Sequence, residues 1–173
     1  MPTFLPASPK LSILLNGPES FKDRKVGVLV SEGVNAGLLS AVKAAAQKEG
    51  ASVEIVAPTI GGVTASDGSH VSADHKFGGG PSVLFDSVVI LVTPDKVDKM
   101  ASDAAVKDFI NDAYAHYKFM GYNDAGAMLL SRVGVKPDSD EALLALKSGG
   151  DSTRFIQACR KLRNWSRAAK VKS

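Results

Sequence analysis

The chain has 173 residues, 45% of them apolar and 23% charged, with a mean hydropathy of +0.03. That length suits one domain with a sizeable core, and the composition is that of an ordinary globule. Cys159 is the sole cysteine, which excludes an internal disulfide or a cysteine metal cluster. No apolar run reaches the ~18 residues of a membrane span. The net charge of +3 is unevenly spread: from Arg154 onward there are 7 Lys/Arg and no Asp/Glu, while the remainder carries 14 basic and 18 acidic residues. A basic tail attracts nucleic acid or anionic lipid. Trp165 is its only stacking aromatic, so the preferred reading is a final helix whose cations meet its own dipole and an acidic neighbour. Neither a nucleic-acid nor a membrane partner is expected.

Residues 1–24 are punctuated by prolines and read as a linker or arm, with an apolar patch over Leu11–Leu15 that could lie against the domain as an ordered arm. The start lacks the basic region of a signal peptide, the final Lys-Val-Lys-Ser is no retrieval signal, and no compartment is indicated. "KVGVLV" (25–30) is a short continuous apolar run, as in a buried parallel strand. Leu38, Leu39, Val42, Ala45 and Ala46 then recur at helical spacing, with Gly50 as the stop. "SVEIVA" (52–57) is a second strand. Asp67-Gly68 marks a hairpin turn between short β-prone pieces. "DSVVILVT" (86–93) is the next buried strand. Ser102 or Asp103 caps a helix with Val106, Phe109, Ile110, Ala113 and Tyr117 on one face. "FMGYNDAGAMLL" (119–130) reads as strand, sharp turn and helix, and "RVGVKPDSD" as strand and loop. Gly149-Gly150-Asp151 opens a last helix burying Phe155, Ile156, Cys159 and Leu162. Alternating strands and helices predict a mostly parallel sheet covered on both faces, an α/β fold.

The turn at 121–125 has the outline of a nucleophile elbow, but its tip is Asn123. An amide sheds no proton at neutral pH, whereas Asn tolerates the left-handed backbone that such a turn can demand. A functional reading would make Asp124 a substitute nucleophile, but no nearby sequence feature suggests a base or orienter for it. Glu32 is the one carboxylate in the loop after the first strand, where parallel sheets place ligands. His70 and His75, with Asp67 and Asp74, match no zinc spacing, and His116 sits near a helix C-terminus. "FGGGPS" (77–82) lacks the Lys-Ser/Thr of a phosphate loop and precedes a strand where a dinucleotide fingerprint follows one. Cys159 falls on an apolar stripe and reads as a small hydrophobe.

In this order the motifs resemble the C-terminal domain of large-subunit haem catalases, most specifically over residues 25–92. "LSILLNGP" resembles the linker that joins that domain to the catalase body, and "FIQACRKLRNWSR" resembles its closing helix. The resemblance implies a flavodoxin-like three-layer sandwich of the PfpI-like, class I glutamine amidotransferase-like type over 25–173, with a small β-hairpin insertion. Enzymes of that superfamily carry Cys where this chain has Asn123, and an acid where it has Ala36, beside Asn35. Their oxyanion-hole glycines correspond here to Pro94-Asp95. With nucleophile, acid and donor replaced together, no catalytic residue, cofactor or metal is expected.

Haem would belong to the catalase body, and the initial Met before a linker-like stretch suggests a separately produced domain. The resemblance further implies an accessory role, with partners in the catalase body and tetramer neighbours. It also raises chaperone-like binding of unfolding clients through Phe4, Leu5, Leu11, Ile13, Leu14 and Leu15. The rival readings are a diverged hydrolase or glyoxalase using Asp124 or Glu32, and a flavin or nucleotide binder.

Overall fold

The computed structural model describes residues 8–13 and 15–168. Among them lie eight strands and five α-helices in the order β1 (Lys25–Val30), α1 (Ala36–Lys48), β2 (Ser52–Ala57), β3 (Val63–Thr64), β4 (His70–Val71), β5 (His75–Lys76), β6 (Ser87–Leu91), α2 (Val97–Ser102), α3 (Ala104–Ala115), β7 (Met120–Tyr122), α4 (Asp124–Arg132), β8 (Leu143–Ala145) and α5 (Gly149–Ala158). A six-stranded parallel sheet has the order β5-β2-β1-β6-β7-β8, and β3 and β4 form a separate antiparallel pair. Without the short edge strand β5, this is the doubly wound order of a flavodoxin-like fold.

The pleat distributes the core. In β1, Val26, Val28 and Val30 point to one face, and in β6 so do Val89 and Leu91; they pack with Leu39 and Val42 of α1 and with Phe155 and Ile156 of α5. Leu29, Val88 and Ile90 point to the other face, against Val106, Phe109 and Ile110 of α3 and Leu129 and Leu130 of α4. Burial on both faces explains why these strands read as unbroken apolar runs. Phe21, upstream of β1, is fully buried in the first cluster.

Several expectations are corrected. Residues 132–135 form no strand: Val133 ends α4 and Gly134 turns away at φ +93°. The strand that pairs with β7 is β8, in a stretch whose Ala and Leu content disguises it. Helix α2 and strand β5 were not signalled, since each is held by its neighbours and lacks a full period of pattern. Tyr117 lies past the end of α3 at φ +60°, its ring edge-on to Trp165. Leu162 lies past α5, which passes into a 3-10 turn over Cys159–Lys161, with Leu162 itself at φ +58°. The apolar patch of the arm does not lie buried against the domain, since Leu11, Ile13 and Leu15 are 84%, 63% and 71% exposed. Phe4, Leu5 and Leu14 fall outside the described residues.

The basic tail finds its acidic neighbours. Arg160 makes a two-point contact with Glu49, at 2.5 and 3.0 Å. Arg167 is fully buried: its Nε and Nη2 donate to the two oxygens of Asp140 at 2.7 and 2.9 Å, and its Nη1 donates to the carbonyls of Tyr114 and Lys118, both at 3.1 Å. The guanidinium carbon sits 4.4 Å from the Tyr114 ring centre. Burial pushes the Asp140 carboxyl upward, but hydrogen bonds from Arg167, Ala142 and Asn164 outweigh it and leave it below its ordinary value. Arg167→Ala leaves Asp140 buried without its partner, and is expected to cost about 3–5 kcal/mol in denaturant unfolding.

Lys118, 3% exposed, donates to the carbonyls of Ser82 and Phe85 at 2.5 and 2.7 Å. Burial lowers its pKa to about 8. A neutral amine still has two hydrogens for those two carbonyls, so the site suits the uncharged form. A lowered pKa means that the unfolded chain holds the proton between about pH 8 and the ordinary lysine value of 10.5. The contribution is therefore fully present above that window and lost as pH falls through it. Stability of the wild type relative to Lys118→Met is expected to rise across the window by at most ~1.4 kcal/mol per pH unit. Taking the difference between two unfolding series cancels the opposing effect of Cys159, whose thiol burial pushes up to about 12.

Candidate functional site: a capped elbow at the sheet edge

The loops after β1, β6, β7 and β8 converge at the carboxyl edge of the sheet, beside the point where the chain changes direction between β1 and β6. Open α/β sheets place ligands there. A cavity of about 440 Å³ lies at this edge, lined by Asn35, Ser66, Thr93, Asn123, Asp124 and Lys147, among others.

Asn123 is at the tip, as the elbow pattern predicts, but its backbone is extended (φ −84°, ψ 178°) and not left-handed. The residue is selected by its side chain. Its Oδ1 accepts the Gly126 N–H at 2.8 Å, capping α4, and its Nδ2 donates to the Val92 carbonyl at 2.8 Å. Strand end and helix start are thus joined by one carboxamide. Gly126 is required by proximity: a Cβ there would lie 2.7 Å from the Ile90 carbonyl oxygen.

Opposite, Asn35 caps α1 by accepting the Leu38 N–H at 2.9 Å. Ala36 is the first residue of α1, with its N–H on Ser66 Oγ at 3.1 Å. It lines a different hollow, under the β3–β4 hairpin. Pro94 and Asp95 form a 3-10 turn, and Asp95 pairs with Lys96 at 2.6 Å. The hydroxyl of Ser31 links the two central loops, standing 3.2 Å from Thr93 Oγ1 and accepting the Thr93 N–H at 2.9 Å. That pair was not singled out from the sequence, because nothing local distinguishes Ser31 from any loop serine.

The two carboxylates considered as substitutes do not meet. Asp124 has an 88% exposed side chain and lies 4.0 Å from Lys147. Glu32 lines a second cavity of about 420 Å³ with Phe77, Lys96 and Met100. Hydrogen bonds from the Thr64 hydroxyl and amide hold its carboxyl below the usual range. The histidines lie elsewhere: His75 on Glu54 at 2.8 Å, His70 in the hairpin, and His116 at the end of α3. Cys159 is buried among core side chains. Among the described residues no group of three or more His, Cys, Asp or Glu could hold a metal, and no helix is long and apolar enough to cross a membrane.

If the carboxamide joins strand to helix, Asn123→Ala removes the α4 cap and strands the Val92 carbonyl. The expected loss is ~1–3 kcal/mol in denaturant unfolding. Asn123→Asp keeps the acceptor but sets a carboxylate against Val92, so it should recover only part of that loss.

Residues 22–169 match the family model of the C-terminal domain found in long catalases. Over 168 residues, 97% of the chain, the sequence is 42% identical to Catalase C of Rhizobium meliloti (strain 1021), covering 24% of that protein. It is 29% identical over 177 residues to Catalase HPII of Mycobacterium avium, covering 94% of this chain and 25% of the relative. The chain thus spans about a quarter of the length of these curated relatives. In three dimensions it is similar to Drosophila melanogaster DJ-1beta, with a TM-score of 0.67 over 86% of this chain and 95% of that one; at 15% identity this likeness shows the fold alone. The chain, with its capped elbow on a flavodoxin-like sheet, therefore belongs to the family of C-terminal domains of long catalases.

Proposed function

We propose that this chain is a non-catalytic accessory domain that packs on the body of a large-subunit catalase, supports its tetramer and binds unfolding proteins through the apolar arm. The observation that carries the non-catalytic reading is the use of both ends of the Asn123 carboxamide in structural hydrogen bonds, at a tip with no thiol or hydroxyl. Peroxide decomposition would belong to the haem body of the parent enzyme. Neither sheet-edge cavity has a His, Cys or Tyr in its lining, Met100 stands in one of them without the His that accompanies a Met ligand, and the Tyr122 hydroxyl is engaged by Asp138 at 2.5 Å, so these two linings do not fit a haem.

The binding reading is supported by Leu11, Ile13 and Leu15, which are exposed on one short segment close to the half-exposed Trp165. A groove between the arm and the C-terminal turn, lined by Ile13, Pro18, Leu162 and Trp165, continues this surface. Contiguous exposed apolar area marks interaction sites. The rival hydrolase or glyoxalase reading gains little, because the Asp124 side chain is 88% exposed with Lys147 4.0 Å away, and the Glu32 carboxylate is held by the Thr64 amide.

The test is light scattering of a heat-labile client with the chain at equal molar amount, with and without residues 1–20. Aggregation is expected to fall with the full chain and to return when the arm is removed. Unchanged scattering removes the client-binding role. A parallel panel of glyoxal, ester and peptide substrates is expected to show no turnover; turnover abolished by Asp124→Ala would overturn the non-catalytic reading.

A further inference from the structure

The arm carries a second chemical feature. Asn16 is followed by Gly17, and none of the other asparagines, at 35, 111, 123 and 164, precedes a glycine. We infer that Asn16-Gly17 is a site of spontaneous deamidation, and that its conversion opens the arm's turn.

The reaction needs a backbone N–H free to lose its proton, and an exposed asparagine with little steric bulk after it. Asn16 and Gly17 are both exposed. The Gly17 N–H has no hydrogen bond among the described residues, and glycine presents no Cβ to the approaching carboxamide. Hydroxide takes the Gly17 amide proton, and the nitrogen attacks Asn16 Cγ. Water protonates Nδ2 and so restores hydroxide, the Cγ–Nδ2 bond breaks, ammonia leaves, and a five-membered succinimide remains. Water then adds to either ring carbonyl and that carbon's bond to the ring nitrogen breaks, giving aspartate or isoaspartate.

Other candidates in the chain are held back. Asn35, Asn111, Asn123 and Asn164 are followed by Ala36, Asp112, Asp124 and Trp165, whose side chains crowd the attacking nitrogen; Asn111 lies within α3, and the other three use their side-chain oxygens as helix caps. Asp67-Gly68, the one comparable Asp-Gly pair, has its Gly68 N–H on the Ala65 carbonyl at 3.0 Å, while Asp67 Oδ1 accepts from both the amide and the hydroxyl of Ser69.

The consequence follows from what the Asn16 amide does. Its Nδ2 donates to the Pro9 carbonyl at 2.7 Å and the Ser12 carbonyl at 2.9 Å, closing the arm on itself. A carboxylate has no hydrogen to donate and would face two carbonyl oxygens, so the turn loses both bonds and gains repulsion. Asn16, Gly17 and Trp165 line one groove, so the change registers at the indole.

The experiment ages the full chain in mildly alkaline buffer, maps the peptides by mass, and labels isoaspartate with an isoaspartyl methyltransferase. Conversion is expected to concentrate at Asn16 while Asn111, Asn164 and Asp67 stay intact. Gly17→Ala is sterically tolerated, its Cβ lying 3.6 Å from the Ile13 carbonyl oxygen. It should slow conversion about tenfold by narrowing the backbone and crowding the nitrogen. Conversion at Asn16 no faster than at Asn111, or unaffected by Gly17→Ala, overturns the site. Separately, Asn16→Asp is expected to speed amide exchange at Leu15 and at position 16 and to shift Trp165 emission. Unchanged exchange overturns the opening.

Discussion

A single carboxamide sits where three structural demands coincide. The Val92 carbonyl lies just beyond the end of β6 and needs a donor; the first turn of α4 needs an acceptor; and the chain must reverse from β7 into α4 within one residue. Asn123 meets all three with one planar group. Aspartate offers only acceptors, serine has a shorter reach, and a thiol is a weak partner in either direction. The close seating of α4 on Ile90, possible because residue 126 is glycine, depends on that anchorage. The geometry that serves a nucleophile in an elbow here serves the joint itself. Structural hydrogen bonds engage the carboxamide at both ends.

The opposite end of the sheet shows how a basic sequence differs from a basic surface. Arg160 is neutralised on Glu49, Arg163 donates to the Asp86 and Leu162 carbonyls, and Arg167 is enclosed with Asp140. The Arg167 guanidinium also donates to the carbonyls of Tyr114 and Lys118, near the C-terminal end of α3 where the helix dipole favours a cation. The sequence pI of 9.0 therefore overstates the cationic face offered to a partner. An enclosed ion pair adds little net stability, because desolvation offsets attraction, but it fixes where the chain must lie. Here it determines that the segment after α5 returns over α3 and β7.

This division explains what the sequence made legible. Strands buried on both faces, such as Lys25–Val30 and Ser87–Leu91, are readable because every residue obeys one rule. Helices α1 and α3 are readable because their period and caps agree, down to Asp103 accepting from Ala105 and Val106. The Asp67-Gly68 turn is readable from its dipeptide alone. The short elements β5, β8 and α2 are not, since each takes its conformation from a neighbour. At the elbow the position of Asn123 was readable and its conformation was not. The backbone argument and the capping argument both favour Asn, and only coordinates separate them. The partnership of Arg167 with Asp140 spans 27 positions, beyond any local pattern.

The arm obeys a different physics from the domain it precedes. Phe21 is fully buried and fixes the chain at the margin of the core, while Leu11, Ile13 and Leu15, a few residues upstream, face solvent. Apolar side chains left exposed next to a buried anchor gain nothing from folding alone. Tethering keeps them near whatever surface lies beside the domain, which raises their effective concentration there and lowers the entropic cost of contact. The same tether keeps them available whether the neighbouring surface is folded or unfolding. If the arm binds as proposed, the side chains that dock are also the ones that capture, and what decides between the two is which surface stands within reach of the arm.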